Sequence, residues 1–97
     1  MQHMDLRRSF QHWVRGEIGS TAVPALRRHM KERDYRLFSR MEHAGRYTDE
    51  VFHPGRGFYR ATGSSEREAL LGILRQIWLV DALSGESTEE IGPAPGR

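Results

Sequence analysis

Five residues recur along one stretch of the chain at spacings of 4, 3, 4 and 3: His29, Arg33, Arg36, Arg40 and His43. At about 100° per residue, a helix would hold all of them within about 80° of one another. Guanidinium and imidazole groups on one exposed strip would make an anion-docking face, suited to nucleic-acid phosphates or to an acidic protein. Arg27, Arg28 and Lys31 widen the positive zone. Glu32, Asp34 and Glu42 lie among these cations, so the plainer reading is a solvated helix face with local ion pairs.

A second cluster mixes rings with cations. Tyr47, Phe52, Phe58 and Tyr59 stand near Arg56 and Arg60 in a stretch that reads as a hairpin. Exposed rings on a sheet can stack bases; the alternative is that Phe52 and Phe58 or Tyr59 belong to the core and its edge. No zinc-finger, RNP-type or helix-turn-helix signature accompanies them. His12, His29, His43 and His53 lack close ligand spacing, so no metal site is expected. Asp49 and Glu50 are adjacent in a strand and so point to opposite faces, which rules out a simple carboxylate pair. His53-Pro54-Gly55-Arg56-Gly57 is glycine-rich, but it joins two strands and opens no helix, so it reads as a turn. No phosphate loop, dinucleotide fingerprint or nucleophile elbow is present, and Ser9, Ser20 and Ser39 have no visible base. The expectation is a protein without enzymatic activity or cofactor.

Composition sets the frame for these residues. The chain has 97 residues and no cysteine, which suits one small domain, excludes disulfides and thiolate metal sites, and fits a cytoplasmic location. No apolar run approaches the ~18 residues of a membrane span, and no secretory leader opens the chain. Met1-Gln2-His3-Met4 resembles a cloning-site remnant before a native Met4, so His3 is assigned no role. The cations are fourteen Arg and one Lys, which reflects either a GC-rich genome or selection for phosphate and carboxylate forks. Net charge is +2, distributed as +5 over residues 5–46 and −3 over residues 47–97. That dipolar layout favours a charged partner.

The elements emerge from periodicity. Leu6, Phe10, Trp13 and Val14 fall on one helical face over Asp5–Arg15, with Asp5 as N-cap. Pro24 opens a second helical stretch, and Val23, Leu26, Met30, Leu37, Met41 and Ala44 carry an apolar stripe as far as Gly45. Over residues 22–44 this is one long helix or two helices split near Glu32–Asp34; the split is favoured, with Asp34 capping the second piece. Arg46–His53 and Phe58–Thr62 form one antiparallel hairpin. Ser65 and Glu68 then set a capping box before a helix over Ser65–Leu83, whose apolar residues cover more than half its circumference. Such a helix must be covered on two sides. Residues 84–97 read as an acidic, Pro/Gly-rich disordered tail, leaving a domain over residues 1–83. The fold class is therefore α+β: N-terminal helices, one hairpin and a long amphipathic to buried C-terminal helix.

A two-stranded ribbon leaves both its edges open. Joining two hairpins across a homodimer would close them and would use excess apolar surface at Ile73, Ile77, Trp78 and Val80.

The run Asp34-Tyr35-Arg36-Leu37-Phe38-Ser39-Arg40-Met41-Glu42-His43-Ala44-Gly45, with a hairpin, Gly-x-Tyr-Arg-Ala-Thr-Gly and a Glu-Ala-Leu helix after it, resembles small phage-encoded α–β ("ABA") sandwich proteins over residues 34–83. The resemblance implies a phage or mobile-element accessory protein in the host cytoplasm, acting by binding a host or defence protein, as anti-CRISPR inhibitors do. Gly63-Ser64-Ser65-x-x-Glu68-Ala69-Leu70 is also similar to the strand–helix junction of HicB-type antitoxins, although helices precede this hairpin and the usual Pro-Asp turn is missing. The leading expectation is a protein-binding protein. The runner-up is a nucleic-acid-binding module, with His29, Arg33, Arg36, Arg40, His43, Arg56 and Arg60 as its contact residues. An antitoxin stands third.

Overall fold

Asp5 opens the first helix as its cap: its Oδ1 accepts a hydrogen bond from the Arg8 N–H at 3.2 Å. The computed structural model describes residues 5–91, with side chains described as far as Ser84. The order of elements is α1 (Leu6–Glu17), α2 (Val23–Glu32), β1 (Arg36–His43), β2 (Arg46–His53), β3 (Gly57–Gly63) and α3 (Glu66–Ile91). The fold is α+β. The reading of residues 1–3 as a remnant, and of residues 92–97 as disordered, falls outside the described residues.

α2 ends where the sequence placed a break, but the next element is a strand and not a second helix. Asp34 takes a left-handed φ of 68°, and the Tyr35 N–H donates back to the Met30 carbonyl at 2.9 Å, closing the helix. A short polar side chain tolerates this conformation better than most. Tyr35 then turns into the core, and the chain leaves it extended. The helical spacing of Leu37 and Met41 is therefore coincidental: both side chains are exposed on a strand.

β1 and β2 are joined by Ala44 and Gly45, with φ of 53° and 78°. Two positive φ angles in a two-residue loop match the right-handed twist of a hairpin. The expected hairpin of β2 and β3 is present, and β1 adds a third strand, giving an antiparallel sheet in the order β1-β2-β3. Pairing slips between Leu37 and Ser39, so Phe38 is an extra residue forming a bulge in β1.

The capping box at α3 forms in altered style. Ser65 Oγ accepts from the Glu68 N–H at 3.2 Å, and Glu68 Oε1 reaches back to the N–H and hydroxyl of Ser64, both at 2.8 Å. The helix then runs past the expected stop at Leu83 to Ile91. Its Leu70, Ile73, Leu74 and Ile77 meet Phe10, Val14, Leu26, Met30, Tyr35 and Val51 in one core. Each such side chain contributes about 1.5–3 kcal/mol on burial.

The two-sided cover that α3 needs is thus supplied within the chain, by the sheet and by the N-terminal helices. This corrects the assignment of Ile73 and Ile77 to a dimer surface, since both are buried inside the protomer. Trp78 is half-buried, its ring centroid 5.6 Å from that of Phe10. Val80 alone of the four stays exposed. Among the described residues no helix is long and apolar enough to cross a membrane.

Candidate functional site

Because residues 36–43 are a strand, the expected basic helix strip does not exist, and its members are distributed over three surfaces. Strand alternation and the bulge place Arg36 and His43 on the sheet face away from the helices, together with Arg60 from β3. Arg40 lies on the helix-facing side. His29, Arg33 and Arg56 meet around a small cavity at the other end of the core.

The open face of the sheet carries the most conspicuous exposed group. Phe38, Phe52 and Phe58 are 63%, 36% and 53% exposed, and Met41, further along the same face opposite Thr48, is 59% exposed. The Phe58 ring lies 5.0 Å from those of both Phe38 and Phe52, edge-on to the first and tilted to the second. Phe52 and Phe58 are direct partners across β2 and β3. Phe38 reaches them because the bulge displaces it from the ladder. Arg36, opposite Phe52, and Arg60, two residues along β3 from Phe58, flank the rings, with Glu50 paired opposite Arg60; His43 and Arg46 lie at the far end of the same face. Thr48 and Thr62 share a 2.8 Å hydrogen bond on the same face. Of the rings singled out in the sequence, Phe52 and Phe58 lie here, whereas Tyr47 and Tyr59 are half-buried on the helix side. Sequence reasoning missed Phe38 and Met41, which it had placed on a helix. The signal that could have found them was the His-Ala-Gly-Arg turn after β1.

On the opposite side of the sheet, four elements meet in an ionic cluster. Arg40 of β1 donates from Nε to Asp49 Oδ1 of β2 at 3.4 Å and from Nη2 to Glu66 of α3. Arg27 of α2 also donates to Glu66 Oε2, its Nε at 2.9 Å. Asp49 is fully buried, and among the described residues its Oδ2 has no hydrogen-bond partner. Burial pushes this carboxyl above the usual carboxylate range, and the Arg40 charge pulls the other way. The cluster ties strand register to helix placement, and its cations are already occupied.

The third surface is a cavity of about 250 Å³ lined by Trp13, His29, Arg33, Tyr35, His53 and Arg56, among others. His29 is buried edge-on to Trp13, ring centroids 5.6 Å apart, and the Tyr35 and His53 rings are 4.5 Å apart. Arg33 donates to the His29 carbonyl at 3.2 Å, and Arg56 is bound by Asp81. These guanidiniums are spent on the fold. Among the described residues no group of side chains is arranged to hold a metal ion.

His29 is instead a source of pH sensitivity. Burial, then the nearby Arg33, lowers its pKa below the ordinary value of 6.5. The unfolded chain therefore takes up this proton first as pH falls, so stability is full above about pH 6.5 and declines below it, towards the folded pKa. The urea midpoint should be lower at pH 5.5 than at pH 7.5, and His29→Phe, which keeps a ring against Trp13, should flatten that difference. An undiminished difference in the variant would assign the effect elsewhere.

No protein-family model, curated protein or solved structure matches the chain, so its function is argued from geometry.

Proposed function

We propose that the protein is a non-enzymatic binding protein whose open sheet face seats an apolar, acid-rimmed surface of a protein partner. The observation that carries this reading is the Phe38–Phe58–Phe52 cluster, mutually packed yet left in water. At about 200 Å² per free ring, the three leave roughly 300 Å² exposed. The largest apolar patch on a typical monomer is of this size, and it is often the functional one. A centre of Phe flanked by Arg has the composition of a protein interface, in which a few buried rings supply most of the binding energy. Arg36 and Arg60 outnumber Glu50 beside the rings, which favours a partner with carboxylates at its rim.

The β1 edge is a weaker docking site. It carries a bulge at Phe38 and charged side chains at Arg36, Arg40 and Glu42, devices that blunt strand addition. Pairing of two chains edge to edge is therefore not the arrangement we favour. If a mobile element carries this protein, the sheet face would engage a host or defence component.

A photo-crosslinking residue placed at Met41 should trap one dominant protein in cells of the source organism. Binding of that protein, once purified, should weaken by about 2 kcal/mol or more in Phe58→Ala. Both rings are exposed, so Phe38→Ala with Phe58→Ala should still fold. An unchanged Kd in that double variant would overturn the reading.

A further inference from the structure

A second surface with unpaired positive charge, distinct from the sheet face, lies between α1 and the first half of α3. Arg7, Gln11 and Arg15 sit at i, i+4 and i+8 of α1, and Arg67 and Arg75 are likewise eight positions apart on α3. A four-residue step drifts only about 40° and an eight-residue step about 80°, so each set stays on one side of its helix. The sets are placed by the core: Phe10 and Val14 anchor α1 through the neighbouring stripe, and Leu70, Ile73, Leu74 and Ile77 do so for α3. Between them runs a groove of about 950 Å³ that all four arginines line.

The guanidiniums in this groove have little to hold. Among the described residues, Arg7, Arg15 and Arg75 form no ion pair, and Arg67 reaches only the Thr21 hydroxyl, at 3.5 Å. The one carboxylate in the lining, Glu68, is turned to Ser64. Arg7 and Arg67 also stand in the first turns of α1 and α3, where a cation opposes the helix dipole. Local helix stability thus explains neither residue. A concave surface of like charge concentrates field and draws in a polyanion.

We infer that this groove seats the phosphodiester backbone of a single-stranded nucleic acid. Along each helix the two arginines are separated by about 12 Å, which suits a ligand carrying charge at intervals and not a single phosphate. Arginine forks match phosphate oxygens bidentately, and Gln11 adds a neutral donor to the wall, while the Gln76 amide is held by the Arg60 carbonyl at 2.8 Å. A peptide ligand would want an apolar socket, but Phe10 and Val14 below the groove are already buried in the core. Tracking a backbone through a charged groove needs no such socket. This site is separate from the sheet face and does not depend on the reading of that face.

The test is fluorescence anisotropy with a labelled oligothymidylate and an oligouridylate of about 20 nucleotides. Three to four phosphate contacts predict a loss of about 20- to 50-fold in affinity between 50 and 200 mM salt. Arg7→Gln with Arg15→Gln, and separately Arg67→Gln with Arg75→Gln, should each weaken binding at least about tenfold at 50 mM salt and reduce the salt slope by about 1.4. All four side chains are exposed, so the melting temperature should hold, and either pair suffices if the other fails to fold. Phe38→Ala with Phe58→Ala should bind the oligonucleotides as the parent does. The inference is overturned by no binding at 50 mM salt, or by affinity that survives both arginine pairs. It is also overturned by affinity that falls with the phenylalanines instead, or by polyglutamate or duplex binding as tight as the single strand.

Discussion

Gly63→Ala should lower the melting temperature by about 10 °C or more, the equivalent of roughly 2 kcal/mol in a domain of this size. Gly63 closes β3 and is buried beneath the first turn of α3. A Cβ there would stand 2.5 Å from Glu68 Cβ, 3.0 Å from the Ala69 backbone nitrogen and 3.1 Å from the Glu68 carbonyl carbon. Its φ lies outside the left-handed region, so the demand is for space and not for glycine's conformational freedom. Overpacking against backbone costs about 1–3 kcal/mol, because no rotamer can yield. The lower entropy of the unfolded alanine chain returns only about 0.4–1 kcal/mol. Moving the helix start would also disturb the Ser65–Glu68 cap. A shift under about 3 °C in a thermal melt would show that α3 can slide at its origin. Gly72→Ala is the milder relative: its Cβ would meet Ala61 Cβ at 2.8 Å, a clash that Ala61→Gly should relieve.

That contact shows why part of the fold was legible in the sequence. The S-x-x-E cap, the dense apolar run after it and the Pro-Gly turn are local signals, and they suffice to place α3 and the β2–β3 hairpin. β1 was misread because Leu37, Met41 and Ala44 continue the spacing of Leu26 and Met30. That spacing is overridden by Asp34 in a left-handed conformation and by an Ala-Gly loop with two positive φ angles, one of them on a residue that gives no turn signal. The surfaces were less legible for the same reason. Converting one helix into a strand moved Phe38 and Met41 onto the sheet and divided the basic strip. The arginine groove needed a different pairing altogether, since Arg7 and Arg75 are brought together only by tertiary packing.

The ionic cluster predicts an asymmetry between its two partners. Arg40→Met should destabilise the protein by about 3 kcal/mol at pH 7, because it strands a buried carboxylate whose other oxygen already lacks a partner among the described residues. Asp49→Val should be nearly neutral, within about 1 kcal/mol, since Arg40 keeps Glu66 and part of its hydration. Valine also suits a strand position packed under a helix. The double variant should therefore be more stable than Arg40→Met alone. Acid should do the same work as the second substitution. Asp49 has a folded pKa raised above its unfolded value, so its protonation favours the folded state, and that contribution is complete below the unfolded pKa and lost as pH rises through the folded one. Removing Arg40 takes away the main influence holding that pKa down, so the gap between Arg40→Met and the parent should close as pH falls from 7 towards about 4. Urea midpoints across that range measure it. A double variant no more stable than Arg40→Met, or a gap independent of pH, would mean that Arg40 matters through its packing and its hold on Glu66. Asp49 would then be a buried charge that the fold tolerates without Arg40.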